Sequence, residues 1–80
     1  MPLYLLHHQH RPDECGAVFA SFNGDDSPLR RRPATASCAF GGHEIWWQVT
    51  AASEGEALQQ LPFFVAQRTT AVAVAVVDIP

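Results

Sequence analysis

The sequence contains no lysine: its five basic residues are all arginine, against eight acidic ones, for a formal net charge of -3. Nothing in that balance draws the chain to nucleic acid. The run Arg30-Arg31-Arg32 is too short and too isolated to track a phosphate backbone, and reads as the solvated flank of a loop. Long apolar runs are also missing. The Val-rich stretch 72–79 falls far short of the ~20 residues that a membrane span requires. Residues 2–6 are apolar but brief, lack a basic lead and run straight into histidines, so no export pattern is read. Cysteine is scarce, with two residues, Cys15 and Cys38. That is too few for a disulfide scaffold, and the expectation is a cytoplasmic protein with thiols, a single Cys15–Cys38 disulfide remaining the alternative. Paired C-x-x-C knuckles, the strong signature of a structural zinc site, are absent too.

What is present is a folded domain. Eighty residues with 48% apolar side chains and two tryptophans make one globular unit, residues 1–80. A chain this short buries a limited share of its surface, so a partner subunit is expected.

Residues 3–10 alternate as a strand, with Leu3, Leu5, His7 and Gln9 on one face and Tyr4, Leu6, His8 and His10 on the other. Pro12 ends the ladder because it has no N–H to donate. Pro12 and Asp13 suit a first helical turn, and Cys15, Val18, Phe19 and Phe22 form one apolar stripe that stops at Asn23-Gly24. Residues 25–33 read as a loop. A strand of small residues is expected over 34–40, a tight turn at Gly41-Gly42, and a strand over 43–51 with Ile45, Trp47 and Val49 on one face. Ser53 and Glu56 have the form of a capping box. The helix that they open is interrupted by Pro62 and resumes over 63–68. Residues 70–79 form a last strand, apolar on both faces and so expected to be buried on both.

The order strand, helix, strand, strand, helix, strand predicts an α+β ferredoxin-like sandwich, an antiparallel four-stranded sheet in the order 4-1-3-2. The helices cover one face. The other is apolar, which predicts a homodimer packed sheet to sheet.

Strand directions bring the rarest residues to one end of this sheet. His8 and His10 lie near the end of the first strand, Cys15 at the start of the first helix, Cys38 at the end of the second strand and His43 at the start of the third. Arg68, Thr69 and Thr70 reach the same rim. Imidazole and thiolate are ligands that Zn, Ni or Cu ions prefer, and an H-x-H pair on a strand holds both rings on one face, about 7 Å apart at the backbone. His8, His10, Cys15, Cys38 and His43 are therefore the candidate ligands of a transition metal. His7 points to the opposite face.

Two other readings stand beside this one. A small-molecule enzyme, isomerase- or hydrolase-like, would use Cys15 or Cys38 with a histidine, or His10 with Glu44 as a proton-moving pair. A structural or accessory binding module would carry the histidines as strand-end polar groups and the cysteines as small buried hydrophobes. Trp46 and Trp47 would line a ligand pocket below the cluster, or else serve as core or dimer interface. Arg68 would anchor an anion or form an ion pair.

The opening Leu3-Tyr4-Leu5-Leu6-His7-His8 and the stretch Leu61-Pro62-Phe63-Phe64-Val65-Ala66, followed by a Val-rich strand, resemble the dimeric α/β-barrel superfamily of ferredoxin-like domains. The likeness is to small proteins of that superfamily, some of which bind nickel, and to YCII-related proteins. The resemblance implies a sheet-to-sheet homodimer with a small cleft in each subunit. The YCII-type His-Asp pair has no counterpart, since no aspartate lies on a strand near His8 or His10.

Overall fold

The computed structural model describes all 80 residues. Its sheet is built on β1 (Leu3–Gln9), whose alternation buries Tyr4, Leu6 and His8 on one face and leaves Leu3, Leu5 and His7 half-buried on the other. β2 (Thr35–Ala36), β3 (Glu44–Thr50) and β4 (Thr69–Val74) complete an open antiparallel sheet in the order β2-β3-β1-β4. The fold is α+β, with its helices on one face.

The covered face holds the core. Leu6, Val18 and Val65 are fully buried, with Ile45, Trp47 and Val49 of β3 and Ala57 and Leu61 beside them. Burying an aliphatic side chain of this size contributes about 1.5–3 kcal/mol, so these few residues dominate the stability of so small a domain.

Pro12–Glu14 forms a 3-10 turn that leads into α1 (Cys15–Ala20). Of the expected stripe, Val18 is fully buried while Phe19 is 54% exposed, so the helix packs through a narrower face than its sequence suggests. α2 (Glu54–Gln59) starts at the expected cap: Ser53 Oγ accepts from the Glu56 N–H at 3.2 Å, and Glu56 accepts from the Ala52 N–H. Pro62, with ψ of 147°, is extended and redirects the chain into the single turn of α3 (Phe63–Ala66).

Two strands are shorter than their sequence pattern. β2 has only two residues because Ser37 takes over the ladder. Its N–H donates to Glu44 O at 2.9 Å and its Oγ accepts from Glu44 N–H at 3.1 Å, which lets the chain leave the sheet. Cys38–Phe40 is then a 3-10 turn closed by Gly41 at φ 80°, so Cys38 sits on a turn and not on a strand. Gly42 is required where it stands, since a Cβ there would lie 2.2 Å from Ser37 Oγ. β4 ends at Val74 because its partner ends there: Val74 pairs with Leu3, the first residue of β1. The two-sided burial expected for the last strand is not found in the single chain, where this edge strand leaves Val72 and Ala73 exposed.

Candidate metal centre

Four of the five expected ligands meet. The donor atoms of His10, Cys15, Cys38 and His43 all lie within 4.8 Å of one another. His10 Nε2 is 3.1 Å from Cys15 Sγ and 3.8 Å from Cys38 Sγ, and His43 Nδ1 is 3.1 Å from Cys15 Sγ. A tetrahedral ion with bonds of ordinary zinc length to nitrogen and sulfur has donor–donor edges of about 3.3–3.8 Å. The observed separations bracket those edges.

Each ligand is delivered by a different local device. His10 lies one residue past β1, with its N–H donating to His43 O at 3.1 Å, so these two backbones are pinned together. Cys15 opens α1 directly after the 3-10 turn. Cys38 and His43 bracket one short loop whose base is the Ser37–Glu44 pairing. His43 has φ of 52°, a left-handed conformation that a side chain with a Cβ rarely adopts. Strain of this kind gathers where a side chain must be aimed, and here it accompanies the turn of His43 toward the sulfurs.

His8 is brought to the centre but stands one hydrogen bond behind it. It is fully buried, and both of its ring nitrogens are engaged by protein atoms. Thr69 Oγ1 donates to Val65 O at 2.7 Å. The hydroxyl therefore accepts from His8 Nδ1–H at 3.0 Å, with Val65 O also 3.3 Å from that nitrogen. This leaves His8 Nε2 bare, and it accepts from His10 Nδ1–H at 2.9 Å. His10 Nε2 then carries its lone pair toward the sulfurs. The expected clasp of one ion between His8 and His10 is replaced by this relay, in which one histidine sets the tautomer of the other.

The electrostatics follow from burial. Desolvation first, and then the neighbouring His10, lower the His8 pKa from its ordinary value; desolvation and His43 do the same to His10. The Cys15 thiol is pushed up by desolvation and by Cys38 beside it. Burial thus favours the neutral form of His8 and His10, the form in which imidazole binds metals, and keeps Cys15 protonated until something stabilises its thiolate. Both cysteines are free and half-buried.

Several other expectations resolve differently. His10 and Glu44 do not form a pair. Glu44 turns to the open face, where its Oε1 lies 2.8 Å from His7 Nε2 and accepts from Gln9 Nε2 at 2.9 Å, and the His7 ring stacks flat on Trp46. Trp47 is core, edge-on to His8 and near Phe22. Both tryptophans line a cleft of about 790 Å³ between β3 and the 28–35 loop, and none of the four clustered histidines and cysteines lines it. Arg68 is held within the chain: Nε donates to Glu14 Oε2 at 3.0 Å, Nη1 donates to Phe64 O at 3.0 Å, and the guanidinium lies over the Phe64 ring. Because Glu14 Oε1 also accepts from the Arg11 N–H, this carboxylate ties the segment just before Cys15 to the start of β4. The Glu14 tie and the Thr69 acceptor are the two supports that sequence reasoning missed; the arrival of Arg68 and Thr69 at the same rim was their only signal.

No helix is long and apolar enough to cross a membrane. No family model, curated protein or solved structure matches the chain.

Proposed function

We propose that this protein binds one transition-metal ion per chain, with His10 Nε2, His43 Nδ1, Cys15 Sγ and Cys38 Sγ as ligands and Zn²⁺ as the best-fitting ion. The carrying observation is the convergence of four nitrogen and sulfur donors within 4.8 Å from separate parts of the chain. A tetrahedral N₂S₂ set suits Zn²⁺ better than Ni²⁺ or Cu²⁺, which favour tetragonal sites, and offers nothing to Mg²⁺ or Ca²⁺. Four protein ligands leave no open coordination position, which favours a structural, storage or sensing role over hydrolysis. The test is metal content of tag-free protein by elemental mass spectrometry, followed by cobalt substitution. Near-stoichiometric zinc and the visible bands of tetrahedral thiolate-bound cobalt support the reading. Protein that holds no metal and refuses added ions sinks it.

The line Cys15–His10–His8 also has the form of nucleophile, base and orienting group. The directions of the shifts oppose that use, since a raised thiol beside a lowered imidazole does not ionise to a thiolate–imidazolium pair. Selective alkylation of Cys15 at neutral pH in metal-free protein would revive it.

The domain is further proposed to be a ferredoxin-like, cytoplasmic homodimer. The strand order supports the fold. The open face of the sheet, where Leu3, Leu5, Trp46, Val72 and Val74 lie beside the His7–Glu44 pair, supports the dimer. Sedimentation of wild type and Val72→Glu would test it, the variant being expected to run as a monomer. The cleft beside Trp46 is the proposed place for a small-molecule ligand.

A further inference from the structure

In a centre that holds a metal through these four ligands, the make-up of the donor set decides how the ion is let go. Two donors are imidazoles, which ordinary oxidants leave alone. The other two are cysteine sulfurs from distant parts of the chain, within 4.8 Å of each other, both free and both half-buried. A sealed structural site would hide its sulfurs. Here His10 is buried while both sulfur-bearing residues keep some access to solvent.

Resting on the metal-binding reading, we propose that the centre is a peroxide-responsive metal site, in which oxidation joins Cys15 to Cys38 and releases the ion. One sulfur attacks peroxide. The O–O bond breaks, a sulfenic acid forms on that cysteine, and the other oxygen leaves with a proton as water. The second sulfur then attacks the first, forming the S–S bond and expelling the sulfenic oxygen as a second water. Two zinc-bound thiolates, one peroxide and two protons from solvent become one disulfide, two waters and a free zinc ion, the sulfurs losing the two electrons that the peroxide gains.

The fold permits the closure. Cys38 lies in a loop whose ends are held by the Ser37–Glu44 pairing, so the turn can shift without unzipping β3. The sulfurs need to close by less than about 3 Å to reach bonding distance. Disulfide sulfur carries no charge and is a poor ligand, so the oxidised site keeps only two imidazoles. Half a donor set does not hold the ion. A thiol or phosphine reductant regenerates the ligands.

The experiment uses the full chain loaded with zinc and titrated with hydrogen peroxide, read by a zinc-responsive dye and by intact mass. The expected result is release of about one zinc for each pair of thiols lost, with a mass decrease of about 2 Da, both reversed by a phosphine reductant and fresh zinc. Cys38→Ser should instead accumulate a dimedone-reactive sulfenic acid on Cys15. The wild-type readout stands alone should that variant not fold. Mass gains in steps of about 16 Da without the crosslink, disulfides only between chains, or zinc retained after the thiols are lost would each overturn the redox inference while leaving metal binding intact. A chain that takes up no zinc is seen at the loading step, before peroxide is added, and overturns the metal reading itself.

Discussion

His8 Nε2 accepts a hydrogen bond from His10 Nδ1 at 2.9 Å, and the direction of that bond is set on the other side of the His8 ring, where Thr69 Oγ1 gives its own proton to Val65 O. His8 is therefore a positioning residue whose buried ring keeps His10 in the tautomer that presents Nε2. Replacing it with phenylalanine fills the volume but removes the acceptor. His8→Phe should weaken zinc binding about 10–100-fold while leaving the stoichiometry at one, as loss of an outer-shell partner does. Competition with a chromophoric chelator measures this. Complete loss of binding by a folded variant would instead make His8 a direct ligand.

His43 separates the demands of the site from those of the fold. Its φ of 52° is costly for any residue with a Cβ, and glycine relieves about 1 kcal/mol of that strain. His43→Gly should leave the metal-free protein as stable as wild type or slightly more so, and should abolish tight zinc binding. Thermal melts and metal content, read on the same preparation, check both halves. A destabilised metal-free variant would mean that the histidine ring supports the fold itself.

Acid should weaken the metal-free fold in a defined order. His8 and His10 have lowered pKa values in the folded chain, so the unfolded chain binds protons first. Their contribution is fully present above the ordinary histidine value of 6.5 and is lost as pH falls from there through the folded values. Glu14 follows at lower pH. The Arg11 backbone N–H and the Arg68 side chain hold its pKa below 4.5, so its contribution persists above that value and disappears as pH drops through the folded one. Urea titrations at a series of pH values should show stability falling below about pH 6.5, and His8→Phe should flatten that first step. An unchanged slope in the variant would remove His8 from the account.

The Glu14–Arg68 pair ties the approach to Cys15 to the approach to Thr69, so it touches both the ligand and the relay behind His10. Arg68→Ala should lower zinc affinity by up to about tenfold, with secondary structure unchanged by circular dichroism. Arg68→Lys should recover only part of the loss, because an ammonium cannot reproduce the guanidinium's several directed bonds to Glu14 and Phe64 O. Wild-type affinity in Arg68→Ala would reduce the pair to surface decoration.

The antiparallel sheet centred on β1 was legible because alternation and turn residues are local signals, and Ser53 and Glu56 mark their cap in sequence alone. The convergence of His10, Cys15, Cys38 and His43 was legible too, because strand direction alone decides which ends meet. The role of His8 was not. Residues of one parity share a face, but whether two rings on that face grip an ion or each other depends on side-chain torsions, and on a threonine hydroxyl sixty-one positions away. Nor could periodicity find the early end of β2, where the Ser37 side chain, by pairing with Glu44, takes the chain out of the sheet just before Cys38.

The metal-free cluster is already hydrogen-bonded throughout, and no buried side-chain nitrogen or oxygen lacks a partner. Folding should therefore not wait for the ion, unlike the behaviour of a minimal zinc finger. The ion should act by linkage. Free zinc at one hundred times its dissociation constant adds about 2.7 kcal/mol to the folded state, and each kcal/mol raises the midpoint of a domain this size by about 4–8 °C. A melt with zinc should therefore run about 10–20 °C above one with chelator, both cooperative and both starting from the same far-ultraviolet spectrum. Cys15→Ser should erase the difference. Chelated protein that shows no folded baseline at all would place the ion inside the folding reaction, and the hydrogen bonds between Cys15, His10 and His43 would then be too weak to hold the centre shut on their own.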